Sequence, residues 1–448
     1  MKVLWLCNVM MPMIAKQFNL EASNKEGWLS GLVSVILKKG HENGIELAVA
    51  FPAPEKMLSE GCEVCTHTIT VQGGSLVCYG FREDMSRPEL YDRGLEDRLR
   101  RIIESCRPDI VHCFGTEYPH TLAMCRVFPQ KERLLISIQG LCSVYAESYF
   151  ANLPEKVIKS VTLRDYLKRD SIREQQQKFA MRGRMEIEAV KLAGNIAGRT
   201  EWDRFHTKEW NPEARYYNMN ETLRETFYGA EWNREACIPH SIFLSQGDYP
   251  IKGFHYMLKA MPEILKIFPD TKVYVAGNSV IEYRTIKQKL KISGYGKFLR
   301  KLIRENGLQD RIVMLGKLNE EQMKERYLKS HLFVCCSSIE NSPNSLGEAM
   351  LLGMPCVSAD VGGVPSIFTG GEDGILYKGF RKGLNNDSDL EAVSARLANS
   401  VIEIWKNQEK QNEYCRNARN HAEKNHSRER NYAKMTEIYT KIVMEQEE

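Results

Sequence analysis

Short apolar runs bounded by turn residues alternate along the chain with stretches whose apolar positions recur at helical spacing. Residues 1–8, 45–51, 109–114, 134–138 and 194–203 read as strands with their exit loops. Residues 24–39, 95–106 and 121–127 read as helices between them; the first carries Leu29, Leu32, Val33, Ile36 and Leu37 on one face, and Arg107-Pro108 stops the second. A polar, Gly-rich stretch to residue 80 reads as a hairpin region. The alternation resumes with strands at 240–247, 272–278, 311–316, 332–336 and 356–359 and helices at 254–267 and 346–353. Strand and helix in such succession imply parallel, doubly wound sheets.

At 448 residues the chain exceeds one ordinary core. Two α/β domains are expected, residues 1–230 and 231–429, with a terminal helix over 430–448 packing back on the first. With 62 Lys and Arg against 58 Asp and Glu, the net charge of +4 singles out neither a nucleic-acid binder nor a partner for a strongly basic surface. The 13 cysteines are scattered, several inside apolar strands, and show no zinc-type pairing, which suits buried thiols in a reducing compartment. The first residues carry one Lys and a brief apolar run without a cleavage site, so they read as a strand rather than a leader. No window is long and apolar enough to span a bilayer. A cytoplasmic protein is expected, free or peripheral on the inner face of a membrane.

Two basic stretches change that picture locally. Residues 153–184 include Lys156, Lys159, Arg164, Lys168 and Arg169, and read either as a face for anionic lipid or a lipid-diphosphate acceptor, or as a solvated helical surface. Residues 283–304 are basic and interleaved with Tyr295 and Phe298, but carry no recognition motif. No nucleic-acid partner is expected.

The candidate chemistry centres on residues 337–350. The run Leu332-Phe333-Val334-Cys335-Cys336 is a buried strand, the polar loop follows, and a helix opens near Leu346 and ends at Gly353. Such a loop lies at the carboxyl end of a parallel strand, where open α/β sheets bind ligands, and first-turn N–H groups welcome an anion. Glu340 and Glu348 bracket the bend, and ionised carboxylates suit sugar hydroxyls. Taken alone, the pair also fits a solvated loop residue and a helix-dipole partner.

Glu340 through Glu348, then Ala349-Met350, Gly353-Met354-Pro355 and Gly362-Gly363-Val364-Pro365, resembles the E-x7-E signature and Gly-rich loop of family 4 retaining glycosyltransferases. The resemblance implies an α/β GT-B fold, two Rossmann-like doubly wound parallel-sheet domains facing across a cleft, with the acceptor bound by the first and the donor by the second. It implies retaining transfer of a hexose-type residue from a nucleoside diphosphate sugar to a hydroxyl of a saccharide or lipid-linked acceptor, in cell-surface polysaccharide or glycolipid assembly. No cofactor and no metal beyond the nucleotide-sugar co-substrate are implied. Glu340 would then hold donor sugar hydroxyls, Glu348 the ribose, Lys252 the diphosphate and His120 the sugar as it becomes cationic. Gly27, Gly277, Asn341, Ser342, Pro343, Asn344 and Ser345 complete the implied donor contacts, with Gly27 and His120 each also readable as plain helix-start residues. His112 competes with His120 but lies within the apolar strand; a group that touches substrate belongs on a loop. Glu117 and Arg199 are secondary candidates, Arg199 being equally suited to an ion pair with Glu201 or Asp203.

Three positions depart from the pattern. Gly247 stands where relatives carry Arg, Gln139-Gly140 where many carry His-Gly, and Ser366 near a usual Glu. Two rivals stand beside this reading: a GT-B nucleotide-sugar epimerase, which would use the same donor half without an acceptor, and a catalytically silent nucleotide-sugar-binding subunit, which Gly247 and Gln139 motivate.

Overall fold

The computed structural model describes residues 1–20, 27–40, 43–71, 74–281, 291–380 and 387–444. They divide into two compact units: Met1–Val144 with Lys178–Glu225 and Asn425–Glu448, and Tyr145–Gln177 with Thr226–Lys424.

In the first unit, β1 (Lys2–Leu6), β2 (Glu46–Pro52), β3 (Val64–Val71), β4 (Gly74–Phe81), β5 (Ile110–Phe114), β6 (Leu134–Ser137), β7 (Asn195–Gly198) and β8 (Arg215–Asn218) form one sheet. Its order is β3-β4-β2-β1-β5-β6-β7-β8. Only the β3–β4 hairpin pairs antiparallel among the described strands. The central strands are apolar on both faces, as burial between helix layers requires: β5 and β6 are buried at every position. The helix Arg428–Met444 packs in this unit, where Tyr439 is wholly buried and its hydroxyl accepts from Trp5 Nε1 at 2.8 Å. His112 lies in the same core, its ring nitrogens 2.6 Å from the Tyr439 hydroxyl and 2.7 Å from the Ser137 hydroxyl, and burial drops its pKa to about 3. It is a neutral core residue.

The second unit carries β9 (Ile238–Leu244), β10 (Lys272–Ala276), β11 (Ile312–Gly316), β12 (Ser330–Cys335), β13 (Cys356–Asp360) and β14 (Ile375–Lys378), in the order β11-β10-β9-β12-β13-β14. All five pairings are parallel. In each sheet the strand order reverses direction at one point, between β1 and β5 in the first and between β9 and β12 in the second. Loops leaving those strands have a crevice to themselves, because the helices that follow depart to opposite faces.

Several boundaries differ from the sequence reading. Tyr145–Gln177, drawn there in the first domain, belongs to the second unit. Polar contacts hold it there: the Ala151 carbonyl bonds His255 Nε2 at 2.7 Å, Asn152 accepts from Tyr256 at 2.8 Å and Asp165 from Gly294 N at 2.7 Å. The helix expected from 121 runs Pro119–Val127, because Tyr118 is extended and Pro119 presets the first helical φ. The expected helix start at 24 and the beginning of the basic stretch 283–304 fall on residues 21–26 and 282–290, outside the described set; the described helices there are Gly27–Lys39 and Gly294–Glu305. No helix among the described residues is long and apolar enough to cross a membrane.

Candidate functional site

Two glycines press the loops that follow β9 and β13 against the loop after β12 at the second sheet's reversal point. Gly253 ends the β9 loop at φ 72°, and a Cβ there would overlap the Cys336 carbonyl. Gly362, at φ 54°, admits no Cβ either, because the Glu340 carbonyl occupies that space; Gly363 N donates to the same carbonyl at 3.0 Å. Ser338 N donates to Ile251 O at 2.8 Å, and Asn341 N to the Tyr145 hydroxyl at 3.2 Å. Glu340 is thus fixed through its backbone on both sides.

Lys252 Nζ lies 2.6 Å from Glu340 Oε1, which also accepts from Ser337 Oγ at 2.7 Å. The two side chains are 20% and 10% exposed. Burial works against the ammonium, but the charge of Glu340, with Tyr249 nearby and the hydrogen bond to Glu340, outweighs it and holds the Lys252 pKa well above its ordinary value. A buried pair of this kind returns little net stability, since desolvating both ions offsets most of their attraction. What it provides is a fixed, charged ammonium whose side chain is 20% exposed, so that an incoming dianion can share it.

The helix Asn344–Leu351 begins directly after this loop, with Pro343 as N-cap and no side-chain cap. Its first-turn N–H groups and positive dipole end point back toward the loop. Glu348, 4% exposed, stands one turn in, with the Tyr327 hydroxyl at 3.4 Å from its Oε2 and at 2.9 Å from the Ser345 carbonyl. Asn341 and Ser342 are buried in the bend. At the end of β10, Gly277 takes φ 100°, and Asn278 donates to Asp248 at 2.9 Å. Lys252, Gly277, the 340–345 bend and Glu348 therefore all belong to the second unit. The Arg absent at 247 has a local reason: a Cβ on Gly247 would press on Val275 and Phe254.

The remaining candidates belong to the first unit. Gly27 begins the helix Gly27–Lys39. His120 is the second residue of its helix rather than a loop residue, and is fully buried. Its Nδ1 lies 2.6 Å from Glu83 Oε2 and its Nε2 3.0 Å from Asn8 Oδ1. Asn8 follows β1 and reaches Glu117 Oε2 at 3.4 Å, while Gly140 N donates to Glu117 Oε1 at 3.2 Å. Burial raises the Glu117 pKa. Arg199 Nη1 pairs with Glu221 Oε2 at 2.7 Å, and its backbone N donates to Asp203 at 3.0 Å. Gln139 donates to the same Glu221.

Sequence reasoning gave no role to Asn8, Glu83, Ser337, Tyr145 and Glu186. The last is wholly buried, accepts from Thr116, from Cys142 N and twice from Ser143 at 2.8–3.0 Å, and is pushed by burial to a pKa of about 7. Ser337 alone had a signal, since it opens the polar loop three residues before Glu340.

Residues 240–421 match the family described as "Glycosyl transferases group 1". Spore coat protein SA of Bacillus subtilis is 24% identical over 193 residues, covering 43% of this chain and 46% of that protein. N-acetyl-alpha-D-glucosaminyl L-malate synthase of Bacillus anthracis is 26% identical over 164 residues, 37% of each chain. The phosphatidylinositol N-acetylglucosaminyltransferase gpi3 subunit of Schizosaccharomyces pombe is 26% identical over 121 residues, 27% of this chain and 23% of that protein. The chain thus matches less than half the length of these relatives. Among solved structures, sucrose-phosphate synthase of Thermosynechococcus elongatus superposes with a TM-score of 0.64 over 99% of both chains at 14% identity. Anabaena HepE in complex with UDP-glucose gives 0.63 over 98% of this chain and 99% of that one, also at 14% identity. The fold is GT-B, with its two parallel-sheet α/β units.

Proposed function

We propose that this chain is a retaining glycosyltransferase of the family 4 type, moving a hexose-type sugar from a nucleoside diphosphate to a hydroxyl of a saccharide or lipid-linked acceptor. The observation that carries the reading is the Lys252 ammonium held 2.6 Å from Glu340 at the reversal point of the second sheet, beside a helix start without a side-chain cap. The match of residues 240–421 and the nucleotide sugar bound by HepE support it.

In this reading the diphosphate takes the open side of Lys252 and the first-turn amides after Pro343. Glu348 holds ribose hydroxyls, and Glu340, anchored by Ser337 and Lys252, keeps its other oxygen for sugar hydroxyls. As the bond from the anomeric carbon to the phosphate oxygen lengthens, negative charge collects on the diphosphate and positive charge on the sugar. Lys252 stabilises the first. The acceptor oxygen bonds to the anomeric carbon from the face that the phosphate leaves, and its proton passes to the leaving phosphate. No protein nucleophile is required.

Incubation with UDP-glucose, UDP-N-acetylglucosamine and other nucleotide sugars, with and without acceptor, tests this directly. Acceptor-dependent release of nucleoside diphosphate with an unchanged anomeric configuration in the product is expected. Acceptor-free release of an altered sugar would mean an epimerase. Binding without turnover would mean a silent subunit, the reading that Gly247 and Gln139 favour.

A further inference from the structure

The helix Leu163–Lys168 is built inside out. Leu163, Tyr166 and Leu167 sit at i, i+3 and i+4, the spacing of a buried stripe, yet they are 58%, 73% and 71% exposed, and the preceding Val161 is 56% exposed. These are four of the ten large hydrophobic residues exposed among the described residues, gathered within seven positions. The helix's carboxylate is the buried member: Asp165 is 1% exposed and accepts from Gly294 N at 2.7 Å and from Thr162 N at 3.2 Å, closing a capping box. Thr162 Oγ1 donates to Ile292 O at 2.7 Å. The apolar face is therefore held outward by polar anchors on its reverse side, which random surface exposure would not need.

Those anchors join this helix to the start of the basic helix Gly294–Glu305. Directly upstream, Lys156 and Ser160 line a cavity of 810 Å³ with Lys297, Arg300, Lys301 and Arg304 of the helix Gly294–Glu305, over an apolar floor that includes Phe298 and Ile303. Acidic groups nearby are mostly spent on other cations: Glu155 pairs with Lys159 and Arg173, Asp170 with Arg164, and Glu305 with Lys301. Lys156, Lys168, Arg169, Lys297, Arg300 and Arg304 make no ion pair among the described residues.

We propose that Val161, Leu163, Tyr166 and Leu167 insert into an anionic phospholipid bilayer while Lys156, Lys168, Arg169 and the basic face of Gly294–Glu305 bind its phosphates. Bare apolar groups at a surface mark an interaction site, and the surrounding charge selects a partner that is both apolar and anionic. A second copy of this chain would bring the same cations against each other. The surface stands independently of the transferase reading.

Sedimentation of the full chain with vesicles of phosphatidylcholine alone, or mixed with phosphatidylglycerol, tests it. Binding to the anionic vesicles is expected, weakening at least tenfold between about 0.1 and 0.5 M salt, with none to the neutral ones. Leu163→Ser/Tyr166→Ser/Leu167→Ser and, separately, Lys297→Glu/Arg304→Glu should each reduce binding at least tenfold while keeping the melting temperature and nucleotide-sugar binding of the parent. Equal sedimentation of the parent and both variants, or none of the parent, would overturn the proposal. So would a dimer in analytical ultracentrifugation that the triple serine variant converts to monomer. Lost nucleotide-sugar turnover with intact vesicle binding would count against the transferase reading alone.

Discussion

The two reversal points occupy the same topological position in their sheets and are furnished in opposite ways. In the second unit, a lysine and a glutamate from the loops after β9 and β12 form a charged pair in which the lysine side chain stays 20% exposed. In the first, the segments after β1 and β5 supply Asn8, Glu117 and His120, a buried amide that bonds both a half-buried carboxyl and a buried imidazole. The open pair can exchange partners with an incoming anion. The closed cluster has satisfied itself and acts by holding shape and charge.

The largest effect should come from breaking the open pair on its acidic side. Glu340→Ala removes the sugar contact and strands a mostly buried ammonium, and turnover should fall by about 10³-fold, on the scale of losing a key transition-state contact. Steady-state release of nucleoside diphosphate checks this, and a loss below tenfold would remove the role. Gly362→Ala attacks the same residue through the backbone. Its methyl has no room beside the Glu340 carbonyl, so urea unfolding should show a loss of about 3–4 kcal/mol.

Glu186, which accepts from Thr116 beside Glu117, should answer to pH instead. Glu186 holds its proton to about pH 7 in the folded chain because burial disfavours its charge. Its folded pKa lies above the unfolded one, so its contribution to stability is complete below the unfolded pKa near 4.5 and disappears as pH rises through 7. That amounts to about 3 kcal/mol at most. Thermal unfolding at pH 5 and pH 8 should differ less in Glu186→Gln than in the parent; an equal difference in both would exclude Glu186 as the source. The smallest effect is Glu348→Ala, which should weaken donor binding about tenfold, as the loss of one charge-assisted contact would. Calorimetric titration with a nucleotide sugar measures it.

The same contrast explains what the sequence disclosed. The second site is local: strand, bend and helix follow one another from β12 to Leu351, and the glutamate spacing can be read off one line of residues. The strand alternation was equally legible, because each buried strand is a run of apolar neighbours. The closed cluster is long-range. His120 meets Glu83 across 37 positions and Asn8 across 112, and nothing in the local sequence pairs them. The helix start at Pro119 also moved His120 off the loop where it was expected, and buried it. Tyr145–Gln177 was drawn with the first domain because strand alternation on either side suggested continuity, whereas buried hydrogen bonds at Ala151, Asn152 and Asp165 join it to the second.

The most direct measurement is nucleotide affinity with the lysine removed. Titrating UDP, or the nucleoside diphosphate of the preferred donor, into the parent and into Lys252→Met should show binding by the parent that weakens at least thirtyfold in the variant, with the melting temperature kept within a few degrees. Equal affinity in the two proteins would show that the ammonium beside Glu340 is not the seat of the diphosphate, and would contradict the account.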